Sequence, residues 1–195
     1  MGRTGIYACG ECVSRRSSFE LVVLYSLKQE APASIGGSTF TKYTLSSVCD
    51  RLSSGKSIKS VEVSAFGTYP VYGGNGLRGY AEKENFSGEC AIVGRQGAYC
   101  GNVRYFSGTA YMTEHAVVVQ ASKDHNTRYL SYLLESMQLV RLSGQSAQPG
   151  LSVKILGQQE VYLPDKATQD KIATVIAALE DKIELNNREN RKLCA

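Results

Sequence analysis

Residues 103–119, VRYFSGTAYMTEHAVVV, decide the fold class of this chain. Three short apolar runs, at 103–106, 110–112 and 115–119, are separated by glycine or polar residues. This is the pattern of β-strands joined by tight turns. Comparable short runs occur at residues 69–72, 91–93 and 160–163. The sequence therefore predicts a group of short strands in the middle of the chain.

Two helical patterns accompany these strands. Thr44 is a suitable N-cap for a short helix that ends at Gly55 and places Leu45, Val48 and Leu52 on one face. Residues 127–142 predict an amphipathic helix. Its apolar side consists of Tyr129, Leu130, Leu133, Leu134, Met137 and Leu139. Strands grouped together and then followed by a helix favour an α+β fold with a mixed or antiparallel, β-rich sheet.

A second helix is predicted beyond Pro164, with Asp165 as its N-cap and no Gly or Pro in the remainder of the chain. One stripe of this helix follows a heptad spacing, apolar first and amide-bearing later: Ile172, Ile176, Leu179, Ile183, Asn186 and Asn190. A narrow stripe with asparagines favours packing against another long helix. Packing against its own domain is the alternative. We therefore divide the chain into an atypical, poorly ordered lead-in (1–42), a globular domain (43–164) and a long coiled-coil-type helix (165–195).

Composition excludes several classes of protein. The chain has 195 residues, of which 43% are hydrophobic and 21% charged, so it suits one ordinary globular domain with an appendage. Its longest apolar runs are too short for a transmembrane helix, and its N-terminus does not resemble a secretory signal. A cytoplasmic protein without membrane contact is the default expectation. The net charge of +4 suits a nucleic-acid partner but is also common in ordinary domains.

Catalytic and metal-binding signals are weak. Cys9 and Cys12 form one C-x-x-C pair without the second pair that a structural zinc site needs. The six cysteines are expected to be reduced thiols, several of them buried. His115 and His125 do not form a recognisable catalytic site, and the common hydrolase motifs, the Walker A loop and the adenine methyltransferase signature are absent. We therefore expect no catalytic residues, no metal and no enzymatic activity in this chain alone.

Residues 74–79, GNGLRG, match the G-x-G-x-x-G pattern of dinucleotide-binding loops. That site requires a helix directly behind the glycines, and the residues that follow predict none. A hairpin turn from which Asn75 and Arg78 project is the better interpretation.

A set of cationic, amide and tyrosine side chains on predicted turns is suited to DNA. Arg, Asn and Gln pair with base edges, and Lys holds phosphates. The candidates are Lys56, Lys59, Tyr72, Asn75, Arg78, Tyr80, Lys83, Arg95, Gln96, Asn102 and Arg104. A solvated loop surface contains the same residue types, so these residues alone leave both interpretations open.

Several stretches, in order, resemble one known family. They are residues 69–80 (YPVYGGNGLRGY), 92–103 (IVGRQGAYCGNV), 146–152 (SAQPGLS), 161–164 (VYLP) leading into Gln169, and 177–186 (AALEDKIELN). Together they resemble the target-recognition domain and spacer helix of type I restriction–modification specificity subunits. The similarity runs from about Tyr43 to Arg191, and residues 1–42 lie outside it.

The resemblance implies a non-catalytic subunit that reads one half of a split target in double-stranded DNA. It implies that the helix pairs in an antiparallel coiled coil and docks modification (methyltransferase) subunits, which a restriction subunit joins. S-adenosylmethionine, ATP and Mg are then expected on those partners and not on this chain. A full-length family member has two recognition domains and two helices. One of each implies a half subunit, a truncated product or a piece of a rearranged locus, with self-association or a second half-subunit completing the target.

Two other hypotheses are compatible with the sequence. The chain could be a lone nuclease or methyltransferase fragment, which methylation without any partner would establish. It could also be an interaction or adaptor module that dimerises through its C-terminal helix, which absent or salt-insensitive DNA binding would favour.

Overall fold

A computed structural model describes residues 39–143 and 150–193 of the chain. The predicted lead-in therefore lies almost wholly outside the described residues, as do Cys9 and Cys12. The eight strands are β1 (Thr41–Thr44), β2 (Cys49–Ser54), β3 (Tyr69–Gly73), β4 (Gly76–Ala81), β5 (Phe86–Gly94), β6 (Val103–Met112), β7 (Ala116–Ala121) and β8 (Glu160–Leu163). The three α-helices are α1 (Thr127–Ser136), α2 (Val153–Gly157) and α3 (Lys166–Leu193). The predicted α+β class is confirmed.

Six strands form one sheet in the order β2-β7-β5-β6-β3-β4, and all neighbours are antiparallel except β3 and β6. The runs at 103–106 and 110–112, predicted as separate strands, form the single strand β6. Gly108 of β6 pairs with Gly88 of β5, and both adopt positive φ angles, of 137° and 124°. Glycine tolerates this backbone conformation, so the strand continues through a residue that the sequence pattern marked as a break.

The short helix predicted after Thr44 is only one 3-10 turn, Leu45–Val48, and the chain then enters β2. Leu45 and Val48 are buried as their spacing suggested, but Leu52 reaches the core from a strand that pairs with β7. The helix predicted over 127–142 ends at Ser136. Gln138 then takes a left-handed conformation with φ of 50°, and a 3-10 turn follows.

Both faces of the central strands are buried. In β5, Ala91 and Val93 face a core that α1, α2 and the start of α3 cover. Cys90 and Ile92 point to the opposite face, where Tyr72 and other side chains cover them. Burial on both faces explains why residues 90–93 are continuously apolar. Only a strand with one face in solvent needs alternating apolar and polar residues.

Strand β1 pairs with β8 in a separate two-stranded sheet, and Lys42 forms a salt bridge with Glu160 at 2.8 Å. The domain boundary expected between residues 42 and 43 therefore falls inside a strand. Thr41 and Lys42 belong to the folded domain.

Helix α3 has 28 residues, about 42 Å at 1.5 Å per residue. Asp165 caps it as predicted, accepting hydrogen bonds from the Thr168 backbone N–H and hydroxyl, each at 2.9 Å. These bonds lower the pKa of the Asp165 carboxyl. No helix in the described part of the chain is long and apolar enough to cross a membrane.

The two halves of α3 have different surroundings. Ala173, Ile176 and Ala177 are buried against the domain, and Ile172 packs beside them. From residue 181 to residue 192 every side chain is exposed. Ile172 and Ile176, which the heptad pattern assigned to a helix interface, thus contact the chain's own core instead. Of the predicted interface, Leu179, Ile183, Asn186 and Asn190 stay exposed.

Candidate nucleic-acid interface

Four chain segments meet at one end of the six-stranded sheet. They are the end of β2 with Gly55 and Lys56, the β3–β4 turn, the β5–β6 loop and the β6–β7 turn. Backbone hydrogen bonds join them, and we call this region the loop end. The bonds run from Gly55 N to Ala116 O (3.0 Å), from Lys56 N to Met112 O (3.0 Å), from Thr113 N to Tyr72 O (2.9 Å) and from Arg95 N to His115 O (2.9 Å).

The GNGLRG stretch forms the tip and second strand of the β3–β4 hairpin, which confirms the hairpin interpretation. The residues after it form a strand and not the helix of a dinucleotide site. A Cβ atom on Gly74 would lie 3.0 Å from His115 O and 3.4 Å from Gly94 Cα. A side chain at this position would displace the neighbouring backbone by a few tenths of an ångström, so glycine suits this close approach of the hairpin tip to the neighbouring loops.

Three predicted arginines converge on this hairpin. A Cβ atom on Gly76 would lie 3.2 Å from Nη2 of Arg104, and one on Gly73 would lie 2.8 Å from Cδ of Arg78. Arg95 follows Gly94 and donates from Nη1 to the Ser54 hydroxyl at 3.4 Å. The structure thus brings Arg78, Arg95 and Arg104 to the loop end. Their role as DNA contacts remains a prediction.

The amide side chains predicted for the site lie in the same region. Asn75 is exposed at the hairpin tip, and Gln96 is exposed next to Arg95, where its backbone bridges to Gly150. Asn102 is exposed in the β5–β6 loop, and its carbonyl accepts from Gly94 N at 2.8 Å. The loop end therefore presents both guanidinium and amide groups, which can form paired hydrogen bonds with base edges.

Tyr72 mainly packs within the sheet. The centroids of the Tyr72 and Phe106 rings are 5.0 Å apart, and those of the Phe106 and Phe86 rings are 6.2 Å apart. The Arg51 guanidinium lies over the Phe86 ring, 5.4 Å from its centroid. The sequence interpretation missed Arg51 because it placed residue 51 in a helix, whereas strand β2 directs this side chain to the same sheet face as Phe86.

Three predicted residues lie elsewhere. Tyr80 pairs through its backbone with Ser64 along the outer edge of β4, and Lys59 precedes the 3-10 turn Ser60–Glu62 on that side. Lys83 forms a salt bridge with Glu62, which raises the pKa of the lysine. The charge of Lys83 is therefore compensated, and these residues form a group apart from the arginines.

Polar contacts anchor α3 to the domain. The buried Gln169 side chain accepts from Asn126 N at 2.9 Å and donates to Pro164 O at 2.8 Å. The same amide lies 3.1 Å from Nδ1 of His125, whose pKa is lowered by burial. Because both ends of the amide are bonded, Gln169 holds the first turn of α3 against the start of α1.

A second anchor lies further along α3. The Tyr132 hydroxyl donates to Glu180 at 2.6 Å, and Arg128 reaches both Tyr132 (3.0 Å) and Glu180 (3.4 Å). Burial raises the pKa of the Tyr132 hydroxyl. The Arg128 guanidinium also lies over the Tyr105 ring, 4.9 Å from its centroid. The direction in which α3 leaves the domain is therefore set by contacts up to Glu180.

The described part of the chain contains no group of three or more His, Cys, Asp or Glu residues arranged to hold a metal ion. Its three cysteines, Cys49, Cys90 and Cys100, are unpaired. Burial raises the pKa of both Cys49 and Cys90 to about 12.

We expect Cys49 and Cys90 to react at least tenfold more slowly with iodoacetamide at pH 8 than a free cysteine does. The thiolate is the reactive form, and a raised pKa leaves almost none of it at that pH. Peptide mass spectrometry of the folded chain would measure the modification of each residue, and the urea-unfolded chain would serve as control. Rapid modification of Cys90 in the folded chain would contradict its burial.

Comparison of the sequence with known protein families identifies the family of this chain. Residues 37–195 match the sequence profile of the family described as Type I restriction modification DNA specificity domain. The chain belongs to this family.

Individual relatives agree with that assignment. The chain is similar to the specificity subunit of the type I restriction enzyme EcoprrI of Escherichia coli, with 42% identity over 108 residues. That match covers 55% of this chain and 27% of the relative. A Mycoplasma pneumoniae protein named as a type I specificity subunit is 26% identical over 178 residues, covering 87% of this chain and 74% of its own length.

Among solved structures, the type I restriction–modification S subunit of M. genitalium has the same fold, with a TM-score of 0.69 and 20% identity. The match covers 77% of this chain and 41% of that structure. The matched part of this chain thus corresponds to about a quarter of the E. coli relative and to less than half of the solved subunit.

Proposed function

We propose that this chain reads one half of a split target in duplex DNA, as the specificity component of a type I restriction–modification system. The observation that supports this most is the convergence of Arg78, Arg95 and Arg104 with Asn75 at the loop end, in a chain of this family. Arg pairs with guanine O6 and N7, and Asn pairs with adenine N6 and N7.

Within this proposal the predicted residues have distinct roles. Arg78, Arg95, Arg104, Asn75 and Gln96 contact base edges. Lys56, exposed beside them, contacts phosphate.

Tyr72 supports the hairpin through its ring contact with Phe106. Lys83 contributes less than an unpaired lysine because Glu62 already balances its charge.

The exposed half of α3 is the proposed docking element. Leu179 and Ile183 are 54% and 47% exposed, and two apolar residues outside the heptad stripe, Val175 and Leu185, are exposed as well. A second recognition unit's helix or the modification subunits would cover this surface. Those partners and a restriction subunit would carry S-adenosylmethionine, ATP and Mg, and this chain would perform no catalysis itself.

We expect DNA binding to weaken steeply with salt, because each phosphate contact releases counterions. Replacing Lys56 with Ala should reduce the magnitude of the slope of log K against log salt by about 0.9 and weaken all sequences alike. Lys83→Ala is the matched control. Because Glu62 pairs with this lysine, we expect the slope to change by less than about half as much as in Lys56→Ala. Fluorescence anisotropy with duplex DNA measures both slopes. The salt concentration would run from about 50 to about 200 mM, the range over which the affinity of such complexes falls steeply.

Salt-insensitive or absent DNA binding by the assembled protein would contradict the proposal. It would favour an adaptor that dimerises through α3, which the exposed apolar side chains of that helix also suit. Methylation of DNA by this chain without a partner would establish the enzyme-fragment hypothesis instead.

A further inference from the structure

Glu114 lies in the β6–β7 turn, at the centre of the loop end. Neighbouring segments hold the turn from three sides, through Lys56 N to Met112 O, Thr113 N to Tyr72 O and Arg95 N to His115 O. The turn is therefore fixed between Lys56, the hairpin that carries Asn75, and Arg95. The sequence interpretation did not include Glu114 among the site residues.

The Glu114 carboxylate has few hydrogen-bond partners within the domain. Oε1 lies 3.3 Å from Nε2 of His115, whereas Oε2 is buried without a hydrogen-bond partner. Among the described residues, no lysine or arginine forms a salt bridge with Glu114. An unpaired buried carboxylate oxygen costs free energy. The side chain is nevertheless 38% exposed, so it can turn outward.

A carboxylate on a DNA-binding surface is repelled by phosphates and only accepts hydrogen bonds. It fits where DNA presents a donor, and the major groove presents two, the N4 amino group of cytosine and the N6 amino group of adenine. On the basis of the proposed function, we propose that Glu114 accepts a hydrogen bond from such an exocyclic amino group and specifies one base of the target. His115 is a positioning residue that holds the other carboxylate oxygen.

This arrangement also accounts for an acidic residue among cations. Arg95 and Lys56 flank the turn that carries Glu114 and are placed for phosphates or guanine. Neither substitutes for an acceptor opposite an amino group. Glu114 therefore extends the set of bases that the loop end can distinguish.

The test is selection of bound sequences from a randomised duplex library by the full chain. We expect the wild type to enrich a motif with cytosine or adenine at one position. Glu114→Ala should keep the rest of the motif and lose roughly 5- to 150-fold preference at that position. Glu114→Gln separates the two donors, because glutamine keeps an acceptor oxygen and adds an N–H that pairs with adenine N7: an adenine is retained, whereas a preference for cytosine shifts toward adenine.

Glu160→Ala is the matched control, since Glu160 is exposed on β8, in the separate two-stranded sheet and outside the segments of the loop end. This variant should keep the whole motif. A Glu114→Ala protein that selects the wild-type motif would overturn the assignment, whatever its melting temperature. If Glu114→Ala does not fold, Glu114→Lys replaces it, because lysine only donates hydrogen bonds and cannot accept one from either amino group: selection of the unchanged wild-type motif by Glu114→Lys overturns the assignment. A wild-type chain that enriches no motif would overturn the proposed function and this assignment with it.

Discussion

Replacing Ile176 with Asp is expected to destabilise the domain by about 3–5 kcal/mol, because it places an uncompensated charge among apolar side chains. Ile176 is 5% exposed and belongs to the core that α1, α2 and the sheet share. A loss of this size is a large part of the total stability of an ordinary domain. Urea unfolding monitored by circular dichroism would measure it.

Leu179→Asp is the matched control, three residues further along the same heptad stripe. Leu179 is 54% exposed, so its replacement should change the free energy of unfolding by less than about 1 kcal/mol. It should instead weaken concentration-dependent self-association, which sedimentation would measure. Equal stability of the two variants would contradict the packing of α3. A strict monomer at high concentration in the wild type would contradict pairing through its exposed half.

The triple variant R78A/R95A/R104A should lose more than about 100-fold in affinity for its DNA target. Each base-contacting arginine contributes about 1–3 kcal/mol, and the three guanidinium groups gather at one hairpin. Specificity should relax together with affinity, because these groups contact base edges rather than phosphates alone. Anisotropy titration against target and scrambled duplexes measures both effects.

The control removes the same charge from another part of the surface. Lys123, Lys166 and Lys171 are exposed on the turn after β7 and on the first two turns of α3, away from the loop end. Their replacement by Ala also lowers the net charge from +4 to +1. If both triple variants lose affinity equally, net charge and not the loop end governs binding.

Features that depend on neighbours in sequence were predictable. Asp165 was identified as an N-cap because its bond to Thr168 spans only three residues. The hairpin at residues 74–79 followed from its glycines, since few other residues suit the tip. Several family motifs then indicated the DNA-reading role, which the residue types alone left open against a solvated loop.

Features that depend on partners distant in sequence were not predictable. Residues 49–54 carry no pattern that separates a helix from a strand, and their pairing with β7 decides for a strand. Arg51 therefore escaped notice. Glu114 escaped as well, because its unpaired oxygen and its place between Lys56 and Arg95 exist only after four segments meet.

The sequence by itself determined the α+β class, the turn glycines, the cap of α3 and a heptad stripe along that helix. Tertiary structure alone decided which part of the stripe is buried. Ile172 and Ile176 pack on the domain, whereas Leu179 and Ile183 remain exposed. The physical reason is that a 3.5-residue spacing predicts an apolar face but does not distinguish its own core from another helix as the surface that covers it.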